Sequence, residues 1–93
     1  MTDSLAACRS DINAIDDALV DLLAKRFRVV DRVIAIKLRD GLPASIPSRI
    51  EEVVSRVRAH AEEAGVPSDA AEALWRQLIS ATIAYEKAKA VKG

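Results

Sequence analysis

The feature that most constrains this chain is a run from Ser4 to about Arg39 with no glycine and no proline inside it. Its apolar residues recur at helical spacing: Leu5, Cys8, Ile12, Ile15, Leu19, Leu22, Leu23, Val30 and Val33. The opposite face carries Asp17, Asp21, Arg28, Arg32 and Arg39. At 1.5 Å per residue, a helix of about 36 residues is about 54 Å long. The whole chain has 93 residues, and a compact domain of that size has a radius of gyration of only about 12–13 Å. Two short helices cannot cover the apolar stripe of such a rod. Either the helix is broken or it packs against another chain. The expected arrangement is an intertwined homodimer in which two long helices cross or lie side by side.

The rest of the chain reads as two more helices. Asp40-Gly41-Leu42-Pro43 is a strong stop signal. A second helix starts after Pro47, where Ser48 and Glu51 have the spacing of a capping box. Ile50, Val53, Val54, Val57 and Ala61 form its stripe, and Gly65 ends it. A third runs from Ser68 to about Val91, with Leu74, Trp75, Leu78, Ile79 and Ile83 facing inward. Lys87, Lys89 and Lys92 near its C-terminus suit the helix dipole. With three glycines, three prolines and only Phe27, Trp75 and Tyr85 as aromatics, a β-sandwich is excluded. The expected fold is all-α, a three-helix chain forming one domain over residues 1–93.

Charge and composition narrow the function. Lys plus Arg and Asp plus Glu number 14 each, and residues 1–46 and 47–93 each hold seven of either sign. No basic block exists for a nucleic acid or an anionic membrane. No apolar run approaches the length of a transmembrane helix, and Met1-Thr2-Asp3-Ser4 lacks the start of a signal peptide. One cysteine, Cys8, cannot form an internal disulfide, and with a single histidine, His60, no zinc site is expected within one chain. These points together read as a reduced, cytoplasmic protein. Cys8 reads as a core residue, Trp75 as one packed between helices, and His60 as one at the solvent edge.

Charges also fall where apolar residues belong. At 100° per residue, the stripe of the first helix centres near about 100°, with Arg26 at about 80°, Lys37 at about 100° and Arg9 on the flank at about 180°. Each buried cation needs an anion or a route to water. Arg26 and Lys37 either pair with internal carboxylates, snorkel outward, or face an anionic ligand. They stand about 16 Å apart along the axis, close enough for two long side chains to share a small molecule. In the third helix, Thr82 and Glu86 lie on the apolar face. Glu86 either forms a plain ion pair with Lys37 or Arg26, or faces the ligand with Thr82. Arg49 opens the second helix, where a cation opposes the helix dipole.

These residues carry a resemblance to the small all-helical (AroQ-type) chorismate mutases. The elements are Cys8-Arg9-Ser10-Asp11-Ile12, Ile15-Asp16, Leu22-Leu23-Ala24-Lys25-Arg26, Lys37, Gly41-Leu42-Pro43, Arg49, and Leu74-Trp75 followed by Leu78-Ile79. Each is short, but their order and spacing run from about Leu5 to Glu86. The resemblance implies an intertwined homodimer that rearranges chorismate to prephenate in one pericyclic step, without a cofactor. It implies that Arg9 reaches across the interface from the other subunit, and that Arg9 and Arg26 bind the two substrate carboxylates. Lys37 would donate to the ether oxygen and a carboxylate, and Arg49 would support the site.

The sequence departs from the family pattern at four positions. Glu86 stands where a Gln commonly donates to the ether oxygen, so Glu86 would have to be protonated to do the same. Thr82 stands where a Ser is common. Ile46 and Ile50 stand where acids serve the ring hydroxyl of chorismate, and that hydroxyl would lose its partners here. The resemblance therefore extends to two relatives with an apolar residue at the Ile50 position, 4-amino-4-deoxychorismate mutase and isochorismate-pyruvate lyase. A helical dimer that keeps the fold without catalysis is the non-enzyme alternative.

Overall fold

The computed structural model describes residues 4–92, and three helices account for most of them: α1 (Leu5–Asp40), α2 (Pro47–Ala64) and α3 (Ser68–Lys92). Met1–Asp3 and the Lys92 side chain, which entered the signal-peptide and helix-dipole readings, lie outside the described residues. No strand occurs among the described residues.

Local chemistry sets the helix ends. Ser4 caps α1 by accepting from the Ala7 backbone N–H at 3.1 Å. At the other end Gly41 takes φ +70°, and the Leu42 N–H returns to the Lys37 carbonyl at 2.8 Å. Gly65 does the same for α2 at φ +80°, with the Val66 N–H bonded to the Ala61 carbonyl at 2.8 Å. The expected capping box on α2 does not form. Ile46 occupies the cap position without a side-chain bond, and Pro47 is already helical. Proline fixes φ for the first turn and has no N–H to leave orphaned, so the helix starts two residues earlier than a Ser48 cap would allow. Glu51 is instead drawn to Arg76 of α3.

α2 and α3 fold back on each other as a helical hairpin. Ion pairs from Arg58 to Asp69 and Glu72, and from Arg76 to Glu51, bridge the two helices in this antiparallel register, and Arg76 also pairs with Glu72 within α3. The C-terminal half of α1 packs against α3. There Tyr85 donates to Asp31 at 2.6 Å, and its ring meets Phe27 edge-on with centroids 4.9 Å apart. Tyr85 thus joins α1 to α3. The core is small: Val30 and Ile34 from α1, Val54 and Ala61 from α2, and Ala71 from α3.

α1 is unbroken, so the helix-break alternative falls away. From Cys8 to Lys25 every residue is exposed. Ile12, Ile15, Leu19 and Leu22 are each more than half exposed. Cys8 is exposed as well, against its reading as a core residue, because this half of α1 projects beyond the hairpin. Leu74 is 66% exposed and leaves the inner stripe of α3 that the periodicity assigned to it. The chain measures 58 × 27 × 15 Å with a radius of gyration of 16.6 Å, well above the value for a compact domain of this length. No helix among the described residues is long and apolar enough to cross a membrane.

Candidate active site

A pocket of about 290 Å³ opens where the C-terminal half of α1, the loop Leu42–Ile46, the start of α2 and the second half of α3 converge. Arg26, Lys37, Arg49, Ile46, Ile50, Thr82 and Glu86 all line it. Seven of the eight candidate residues therefore meet in one place. Arg9 does not: it lies on the projecting half of α1 and is exposed. The remaining walls are apolar, from Val33, Ala44, Val53, Ile79 and Ile83.

Lys37 is held by two acceptors. Its Nζ donates to the Ala44 carbonyl at 2.9 Å and to Glu86 Oε1 at 3.0 Å. An ammonium has three donors, so one is left over. The side chains of Lys37 and Glu86 are only 18% and 9% exposed. This is the plain ion pair between Lys37 and Glu86, formed on the pocket wall. Removing either partner of such a pair leaves an uncompensated charge in a shielded place. Glu86 Oε2 has no protein partner among the described residues.

Arg26 is half-buried and has no carboxylate partner among the described residues. Its Nη1 donates to Thr82 Oγ1 at 3.1 Å, and Thr82 in turn donates to the Leu78 carbonyl at 2.7 Å. Burial, and then the neighbouring Arg49 cation, pull the Arg26 guanidinium below its ordinary pKa. A guanidinium remains charged under such a shift, so Arg26 and Arg49 repel each other across the pocket until an anion separates them. Arg49 is engaged by Glu52, three residues on along α2.

Sequence reasoning missed three partners here. The Ala44 and Leu78 carbonyls are backbone groups, which carry no residue signature. Glu52 could have been found, since an Arg and a Glu three apart on a helix are neighbours.

A second concavity of about 660 Å³ lies between the C-terminal half of α2 and the start of α3. Val57, Ala61, Val66 and Trp75 line it together with Arg56, His60 and Glu63. His60 is exposed, as expected, and Trp75 sits half-buried between the helices. No group of histidine, cysteine and acidic residues that could hold a metal ion occurs among the described residues.

Fold and site define an all-helical chain with a cation-lined, apolar-walled pocket of small-molecule size. A family model described as chorismate mutase type II matches residues 8–87, and the chain belongs to that family. The chain is 38% identical over 92 residues to a T-protein of Enterobacter agglomerans, covering 99% of this chain and 25% of that protein. It is 31% identical over 88 residues to a bifunctional chorismate mutase/prephenate dehydratase of Aquifex aeolicus, covering 91% of this chain and 24% of that protein. A chorismate mutase of Methanocaldococcus jannaschii is 29% identical over 87 residues, with 94% of this chain and 88% of that protein covered. The chain thus spans about a quarter of the first two relatives and most of the third.

Proposed function

We propose that residues 1–93 act as a chorismate mutase, rearranging chorismate to prephenate without a cofactor. The observation that carries the reading is the Lys37 ammonium, fixed by Ala44 and Glu86 in a pocket that also presents Arg26 and Arg49. A dicarboxylate neutralises the guanidinium charges and is gripped by them in fixed geometry. Holding both carboxylates folds the enolpyruvyl side chain over the ring, the shape from which the new C–C bond forms. As the C–O bond breaks, negative charge develops on the ether oxygen. The third Lys37 donor meets that charge, and it stabilises the transition state more than the bound substrate. Glu86 serves that step by accepting from Lys37 and holding its ammonium in place.

The site is completed by a second copy of the chain. Ile15, Leu22, Val29 and Ile36 recur every seven residues along α1, and all four are at least 45% exposed. Such a stripe seeks a partner helix. The concavity lined by Val57, Val66 and Trp75 gives the projecting half of a partner α1 a place to lie. Arg9 then enters the pocket of the other subunit and binds the second carboxylate. A cytoplasmic setting suits the chain's single cysteine.

A second reading concerns the substrate. Ile46 and Ile50 both line the pocket. A ring hydroxyl set against them loses its hydrogen bonds to water without replacement. The 4-amino analogue of chorismate and isochorismate are the alternative substrates on the same site. The test is the ultraviolet loss of chorismate with purified protein, with acid conversion of prephenate to phenylpyruvate. Turnover that Arg26→Ala abolishes, in a variant that still assembles, supports the reading. No turnover from pH 5 to 8 overturns it and moves the assay to the other two substrates. Inactivity on all three leaves a non-catalytic helical dimer.

A further inference from the structure

The buried Thr82 hydroxyl has a geometry that limits what it can do for a ligand. Thr82 is 8% exposed, and its Oγ1 donates to the Leu78 carbonyl one turn earlier at 2.7 Å. A hydroxyl has one proton, and this one is spent within α3. The lone pairs that remain accept from Arg26 Nη1 at 3.1 Å. A carboxylate brought to the same oxygen would meet lone pairs rather than a donor. The β-branched side chain also has few rotamers in a helix, and the bond to the Leu78 carbonyl selects among them.

We infer that Thr82 is a positioning residue: it aims the Arg26 guanidinium into the pocket and does not itself bind the substrate. The inference rests on the pocket being the substrate site, and it refines the reading in which Thr82 faces the ligand with Glu86. Arg26 needs such a guide because no carboxylate among the described residues holds it. A guanidinium freed from Thr82 could still bind an anion, but in several poses. A pericyclic step that depends on one folded substrate shape tolerates that poorly.

The test is a double-mutant cycle on kcat/KM with Thr82→Val, which keeps the shape and removes the acceptor, and Arg26→Lys, which keeps the charge and removes the fork. Thr82→Val should lower kcat/KM roughly tenfold in the wild-type background, and less than about twofold with Arg26→Lys. Thr82→Ser, which retains the acceptor, should stay within about threefold of wild type. Equal losses from Thr82→Val in both backgrounds would mean direct substrate contact and overturn the inference. Nitrogen NMR of the arginine side chains gives a second reading that needs no turnover. The two Arg26 Nη signals should be resolved in wild type and merge in Thr82→Val as rotation is freed. Unchanged Arg26 signals in Thr82→Val would also overturn it. If wild type turns over no substrate, the functional reading fails, while the NMR comparison still decides whether Thr82 guides Arg26.

Discussion

Lys37 has the most to lose at the residue scale, because two of its donors are fixed and the third is aimed by them. Lys37→Ala should lower kcat by about 10²–10³, the usual cost of removing one preorganised donor to a developing oxyanion. Its KM should change much less, which steady-state kinetics on chorismate would show. Glu86 is a different case, since a carboxylate has nothing to donate. Glu86→Gln keeps an acceptor for Lys37 and adds an N–H donor, so it should keep or raise kcat on chorismate, while Glu86→Ala should lower it. Equal rates for wild type, Glu86→Gln and Glu86→Ala would remove Glu86 from the proposed mechanism. Most of the residues lining the candidate pocket were legible at this scale. Cations on an apolar stripe are costly enough to stand out, and Arg26, Lys37 and Glu86 did so. The acceptors that orient them did not, because the Ala44 and Leu78 carbonyls depend on where the chain passes rather than on which residue passes there.

At the scale of elements, an exposed ladder ties α2 to α3. The bond to Arg76 holds the Glu51 carboxyl below its usual range, and bonds to Arg76 and then Arg58 do the same for Glu72. Carboxyls with lowered folded pKa values stabilise the fold fully above their unfolded pKa, about 4.3 for Glu, and that contribution is lost as pH falls through the folded values. The melting temperature should therefore drop below about pH 4. Glu72→Gln should shrink that drop, and added salt should as well. A melting temperature flat down to pH 3 would mean the ladder contributes nothing. The pairing itself could not be read from sequence, since Glu51 had the spacing of a capping box. Pro47 took the first helical position, and Glu51 was left for Arg76.

For the whole molecule, the proposed second copy is argued from the projecting half of α1. Helices draw most of their stability from packing an apolar face, and this one leaves Ile12, Ile15, Leu19 and Leu22 exposed. A second copy that covers them would also deliver Arg9. Mixing then offers a test: Arg9→Ala and Arg26→Ala chains should each be nearly inactive alone. Unfolded together and refolded in equal amounts, they should regain roughly a quarter of wild-type activity, because half the dimers are mixed and each mixed dimer has one intact site. No recovery would mean that Arg9 serves its own chain or none. The melting temperature should also rise with protein concentration if folding and assembly are coupled.

Helical class, the end of α1 at Gly41 and the family resemblance were set by sequence alone, while the structure decided that α1 runs unbroken. Periodicity, glycine placement and a run without helix breakers act within a few residues of chain, so they can be read along it. Tertiary structure decided which cation meets which partner. Lys37 went to Glu86 and Ala44, and Arg26 went to Thr82, although the wheel positions allowed either cation to take Glu86. It also decided that Cys8 and Leu74 lie outside the core and that Tyr85 joins α1 to α3. Those outcomes depend on how helices distant in sequence are offset along one another. A helical pattern fixes which face turns inward, but not which turn of the next helix it will meet.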